Sequence, residues 1–81
     1  MSRTLQSPRH EALRAYLVRA RKTAGLTQTD VAEALGRPQS YVATVEQGQR
    51  RVDVVSLLQF AAAIGFDPHQ ALDEAIAAPD A

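Results

Sequence analysis

Four glycines, Gly25, Gly36, Gly48 and Gly65, each follow a short stretch in which apolar residues recur every three or four positions. This punctuation restricts the chain to a series of short helices, because glycine readily takes the left-handed conformation that turns a chain out of a helix. Leu13, Leu17, Ala20 and Ala24 trace one face before Gly25, and Val31, Ala32 and Leu35 face inward before Gly36. Val42 and Val45 do the same before Gly48, as do Leu57, Leu58, Ala61 and Ile64 before Gly65. The starts are marked too: Ser7 ahead of Pro8, Thr27 with Asp30 three residues on, Asp53, and Asp67 ahead of Pro68 are capping arrangements. The last of these opens a segment with Leu72, Ala75 and Ile76 along one side, which Pro79 stops. No segment alternates with the period of two that marks a strand. The spacing predicts an all-α chain of five helices in a single domain over residues 8–78, with residues 1–7 an N-terminal arm and 79–81 a tail.

At 81 residues such a domain is near the lower end of sizes that fold without staples, and the absence of cysteine excludes a disulfide framework, a thiolate metal site and a cysteine nucleophile. No apolar run approaches the ~18 residues of a membrane span, and "MSRTLQSPRH" lacks the apolar stretch of a secretory signal. A cytoplasmic location is expected. No catalytic set can be assembled, since there is neither a Ser-His-Asp grouping nor a glycine-rich phosphate loop. His69 and Asp73, with Asp67 nearby, have the spacing of metal ligands, but at one acidic helix end they read as a cap and a solvated face. His10 reads as an exposed histidine near a helix start. The chain is therefore expected to be no enzyme and to hold no metal or cofactor.

The formal net charge is zero, yet its distribution is uneven. Residues 1–22 carry Arg3, Arg9, Arg14, Arg19, Arg21 and Lys22 against Glu11, whereas residues 53–81 carry Asp53, Asp67, Asp73, Glu74 and Asp80 and no Lys or Arg. Arg50 and Arg51 form a small basic cluster between them. Such an asymmetry permits one basic face on a neutral molecule, and phosphate binding depends on the local field more than on the total.

The stretch "GRPQSYVATVEQGQRR", residues 36–51, is the most informative. As one helix from Gln39 to Gln47 it puts Val42 and Val45 on one side and Ser40, Ala43, Thr44 and Gln47 on the other. A carboxylate, Glu46, falls on the inward flank. With the helix that precedes it and the connection starting at Gly36, this makes a helix-turn-helix unit over about residues 27–47. A neutral face of short hydroxyl, methyl and amide groups suits base edges in a major groove, where such groups donate, accept or meet the thymine methyl.

The segment "AGLTQTDVAEALGRPQSYVATVEQGQRRVDVVSLLQFAAAIGF" resembles the Cro and phage-repressor, XRE-type, helix-turn-helix family of bacterial transcription regulators. The resemblance covers about residues 10–66 and implies a compact five-helix lambda-repressor-like DNA-binding domain. It implies base contacts from Gln39, Ser40, Ala43 and Thr44, and contacts to the phosphate backbone from Gln28, Tyr41, Gln49, Arg50 and Arg51. Tyr41 can equally tuck its ring against the core. Pro38 stands where the family often has Ser or Thr before the reading helix, and Arg37 ahead of it, a poor cap by side chain, joins the phosphate set. The family commonly pairs an arginine near the end of the first helix with the acid at position 46, which makes Arg21 the partner of Glu46 and the two a structural strut. The implied partner is double-stranded DNA, bound by a homodimer on a palindromic operator, with Leu72, Ala75 and Ile76 as the candidate dimer interface. "RPQSYVATVEQGQRRVDVVSLLQF" is similar to restriction-modification controllers. The alternative class is a protein-interaction module, such as an antitoxin that neutralises a toxin through the fifth helix. A chain that is nearly all motif is expected to leave no room for a ligand-sensing domain.

Overall fold

Each of the four glycines ends its helix with a positive φ or stands just beyond the end. In a computed structural model, which describes residues 7–79, the order is α1 (Pro8–Thr23), α2 (Gln28–Leu35), α3 (Gln39–Glu46), α4 (Val54–Ile64) and α5 (Pro68–Ala77). Apart from Ser7 and Pro79, the expected arm and tail lie outside the described residues. The third helix ends one residue earlier than the sequence suggests, with Gln47 as its C-cap. Ser7, Thr27, Asp53 and Asp67 each cap the helix that follows, and Thr27 with Asp30 completes a reciprocal capping box.

One core is shared by all five helices. It holds Leu17 from α1, Val31 and Ala32 from α2, Val42 and Val45 from α3, Leu57 and Phe60 from α4, and Ala71 from α5. Phe60 is the largest fully buried side chain, and its burial contributes about 1.5–3 kcal/mol. The sequence reading put Leu58 on the inward face of α4, but Leu58 is 51% exposed. The buried face of α4 runs through Leu57, Phe60 and Ala61 with Ile64 half-buried, and Leu58 lies about 100° around the helix from Leu57. His10 is a second correction. It is buried against the domain, with its backbone N–H donated to the Ser7 hydroxyl at 3.1 Å. Val52, in the connection before α4, is buried as well.

Two packings position the rest. α5 lies along α1, where Ala71 is fully buried and lets the helices approach. Tyr16 meets Phe66 edge-on at 5.2 Å, and Arg19 pairs with Glu74 at 3.3 Å across the same seam. α2 and α3 meet through the turn at Gly36, whose φ of 69° only glycine adopts readily. The Arg37 N–H closes that turn on the Ala32 carbonyl at 3.0 Å. Because Val42 and Val45 are sealed in the core, α3 shows its opposite face to solvent.

Candidate nucleic-acid interface

Gln39 and Ser40 are exposed on α3, Gln47 is exposed at its C-cap, and Ala43 and Thr44 are half-buried beside them. These side chains form one continuous strip. The Thr44 hydroxyl donates to the Tyr41 carbonyl at 2.8 Å, so its hydrogen is committed. What Thr44 offers outward is its lone pairs and its methyl group. Beyond the C-terminal end of the strip, Thr44, Gln49, Arg50 and Arg51 line a shallow open depression of about 390 Å³. The Gln49 N–H donates to the Thr44 carbonyl at 3.0 Å, tying this loop back to the helix. Thus a base-reading candidate and three phosphate candidates share one concavity.

The angle of α3 is held from α1. Arg21 grips Glu46 with two parallel hydrogen bonds, Nε to Oε2 at 2.6 Å and Nη2 to Oε1 at 3.0 Å, and the two side chains are only 12% and 10% exposed. The remaining arm of Arg21 donates to the Leu26 carbonyl at 2.8 Å, which fixes the loop between α1 and α2 as well. Hydrogen bonds to Glu46, partly offset by burial, push the guanidinium above its already high range, so it stays charged wherever the protein folds. A bidentate pair of this kind orients its partners as well as attracting them.

Through Gln28, Glu46 also reaches the exposed face of α3. Its Oε1 accepts from Gln28 Nε2 at 2.9 Å, and the Gln28 side-chain oxygen Oε1 accepts from Gln39 Nε2 at 2.5 Å. A carboxylate can only accept, so Gln28 must turn its amide nitrogen toward Glu46 and its oxygen toward Gln39. Gln39 is then left with its own oxygen and one N–H outward, one acceptor and one donor.

Arg37 and Arg50 both approach Tyr41, whose ring stacks on Phe60. Sequence reasoning missed one residue at this site. Arg14 donates from Nη1 to the Glu46 carbonyl at 2.7 Å and is itself held by Glu11 at 2.8 Å, a second tie from α1 to the end of α3. The spacing of Glu11 and Arg14 marks an ion pair within one helix. Nothing in one dimension points to the carbonyl thirty-odd residues away.

Comparison with known proteins bears on this geometry. A family described as a helix-turn-helix domain matches residues 12–75. An XRE-family-like protein from Pseudomonas syringae pv. tomato is 41% identical, with 93% of this chain and 92% of that one covered and a TM-score of 0.83. The chain belongs to the XRE-type helix-turn-helix family. This XRE-family chain is also similar to the clp gene regulator ClgR from C. glutamicum, at 31% identity, 84% and 88% coverage and a TM-score of 0.77. It is similar again to the restriction-modification controller protein C.AhdI from Aeromonas hydrophila, at 34% identity, 76% and 94% coverage and a TM-score of 0.70. No match was found among curated proteins. The XRE family is one of DNA-binding transcription regulators rather than enzymes. Among the described residues, no helix of this XRE-type domain is long and apolar enough to cross a membrane.

Proposed function

We propose that this chain regulates transcription by binding a palindromic operator as a homodimer, with α3 of each copy in a major groove. One observation carries the reading: the exposed neutral strip of α3 runs into a depression where Thr44 meets Gln49, Arg50 and Arg51. Gln39, Ser40, Ala43 and Thr44 read base edges, while Gln28, Arg37, Gln49, Arg50 and Arg51 serve the backbone and Tyr41, its ring stacked on Phe60, supports them from the core side. Arg21 and Glu46 act as the strut that sets the approach angle. Such a protein works on the chromosome, in the cytoplasm.

Dimerisation is supported by Leu72 and Ile76 on α5, which are 40% and 67% exposed, with Ala75 half-buried between them. Val54 and Val55 on α4 are also exposed. A single module makes too few contacts for tight specific binding, and two copies would address half-sites about 34 Å apart. The same exposed aliphatics favour the second reading, a protein partner such as a toxin held through α5. The likeness to a restriction-modification controller adds a controller role as one form of the first.

A mobility-shift titration on genomic fragments at two salt concentrations separates the readings. Retention of particular fragments with a steep salt dependence supports the operator-binding regulator. Absence of retention at low salt sinks it and leaves the protein partner.

A further inference from the structure

Tyr41 is flanked by two guanidiniums that belong to different segments of the chain. The Cζ of Arg37, in the turn before α3, lies 4.0 Å from its ring centroid, and that of Arg50, in the loop after α3, lies 5.4 Å away. The ring is itself anchored, stacked on the buried Phe60 at 6.1 Å with 24° between the planes. Arg37 and Arg50 are exposed, and neither forms an ion pair among the described residues.

An unrestrained exposed arginine gives up rotamer freedom when it grips an anion, and that loss weakens the contact. A planar guanidinium already resting on an aromatic ring has lost part of this freedom in advance. Two like charges gathered at one ring repel each other, and an anion placed between them relieves the repulsion. Arg50 also lines the depression beside Thr44, which puts that anion next to the α3 strip. A phosphodiester of duplex DNA is the anion such a position meets.

We infer that Tyr41 is a positioning residue: its ring, rather than its hydroxyl, orders Arg37 and Arg50 into one clamp for a backbone phosphate. This rests on the duplex-binding reading above and assigns Tyr41 a role other than direct contact. Arg51, whose charge touches no ring among the described residues, acts outside the clamp and is the internal control.

The test uses a duplex that the wild type selects from a random library, with affinity followed by fluorescence anisotropy. Tyr41→Phe keeps the ring and is expected to bind within about twofold of wild type, whereas Tyr41→Leu weakens binding about three- to tenfold. Added to the Arg37→Ala/Arg50→Ala double variant, Tyr41→Leu costs nothing further; added to Arg51→Ala it has its full effect. Arg37→Lys/Arg50→Lys keeps the charge without the planar guanidinium and is expected to lose affinity by a similar factor, so the proposal stays testable if Tyr41→Leu folds poorly. In the free protein, NMR is expected to show the Arg37 and Arg50 δ-methylene protons shifted upfield in wild type and Tyr41→Phe, and not in Tyr41→Leu. Equal losses in Tyr41→Phe and Tyr41→Leu, additive losses, or unweakened binding by the lysine variant overturn the clamp while leaving duplex binding intact. A wild type that selects no duplex at any salt overturns both.

Discussion

Glu46 accepts hydrogen bonds from Arg21 and Gln28 through its carboxylate and from Arg14 through its carbonyl, joining α1, α2 and α3. Removing its carboxylate leaves the mostly buried Arg21 without a counter-charge. Glu46→Ala is therefore expected to cost about 2–4 kcal/mol of stability, seen as a lower Tm, and to weaken DNA binding with it. A variant that melts like wild type yet fails to bind would assign Glu46 to the DNA instead. Gln28 has a more selective consequence. Gln28→Leu removes both partners' hydrogen bonds and releases the Gln39 amide, so discrimination at one base pair of each half-site should fall by about three- to tenfold, with the other positions unchanged. Equal loss at every position would show that Gln28 works only as a phosphate contact. Parts of this network were legible in the sequence. The family resemblance puts Arg21 opposite Glu46, and the two side chains meet at 2.6 Å. Arg14 was not legible, because a bond to a backbone carbonyl leaves no mark on residue type. Nor was the Gln28–Gln39 contact, which depends on the angle between α2 and α3.

At the scale of elements, caps and glycines carry the sequence signal, and they are where it was most readable. Asp30 is held below the ordinary carboxylate range by the Thr27 backbone N–H and then its hydroxyl; Asp53 is lowered in the same way by Ser56. A depressed folded value means that the caps contribute fully above about pH 4 and lose their contribution as pH falls through the lower folded values. The Tm of wild type should accordingly drop on acidification below about pH 4, and Asp30→Asn/Asp53→Asn should drop less, because asparagine caps without titrating. Parallel Tm curves for the two proteins would contradict this. The glycines differ among themselves. An added Cβ at Gly36 meets open space, so Gly36→Ala should cost about 1 kcal/mol from its left-handed backbone alone. At Gly48, with φ of 79°, the same Cβ would lie 3.2 Å from Arg14 Cδ and press on the tie between α1 and α3. Gly48→Ala should be the more damaging by chemical denaturation, and equal losses would count against that crowding. Element boundaries were readable because they rest on local chemistry. The inward register of α4 was harder, since Val54, Val55, Leu57, Leu58 and Phe60 are all apolar and only packing decides which of them turn inward.

For the molecule as a whole, the uneven charge along the sequence permits one basic face, with most of the cations in residues 1–22. The fold redistributes that charge: Arg14, Arg19 and Arg21 pair with Glu11, Glu74 and Glu46. The arginines that form no ion pair among the described residues include Arg37, Arg50 and Arg51, which surround α3. A neutral molecule can in this way present cations at the place where a backbone would pass. The aliphatic side chains exposed on α4 and α5, Val54, Val55, Leu58, Leu72 and Ile76, offer apolar surface for a contact between copies. If α5 carries that contact, Ile76→Asp should turn a dimer into a monomer in analytical ultracentrifugation and weaken operator binding by at least about tenfold, with the Tm of the monomer little changed.

The proposed function is a division of labour, with α3 reading bases and the flanking arginines holding the backbone. It is tested most directly by measuring the affinity of wild type, Ser40→Ala, Thr44→Ala and Arg51→Ala for a selected operator and every single base-pair variant of it, at two salt concentrations. Ser40→Ala and Thr44→Ala should change the ranking at a few base pairs and leave the salt dependence alone. Arg51→Ala should weaken all sequences alike and lower the salt slope by about one for each half-site. Equal weakening on every sequence by all three variants, with the ranking preserved, would contradict it.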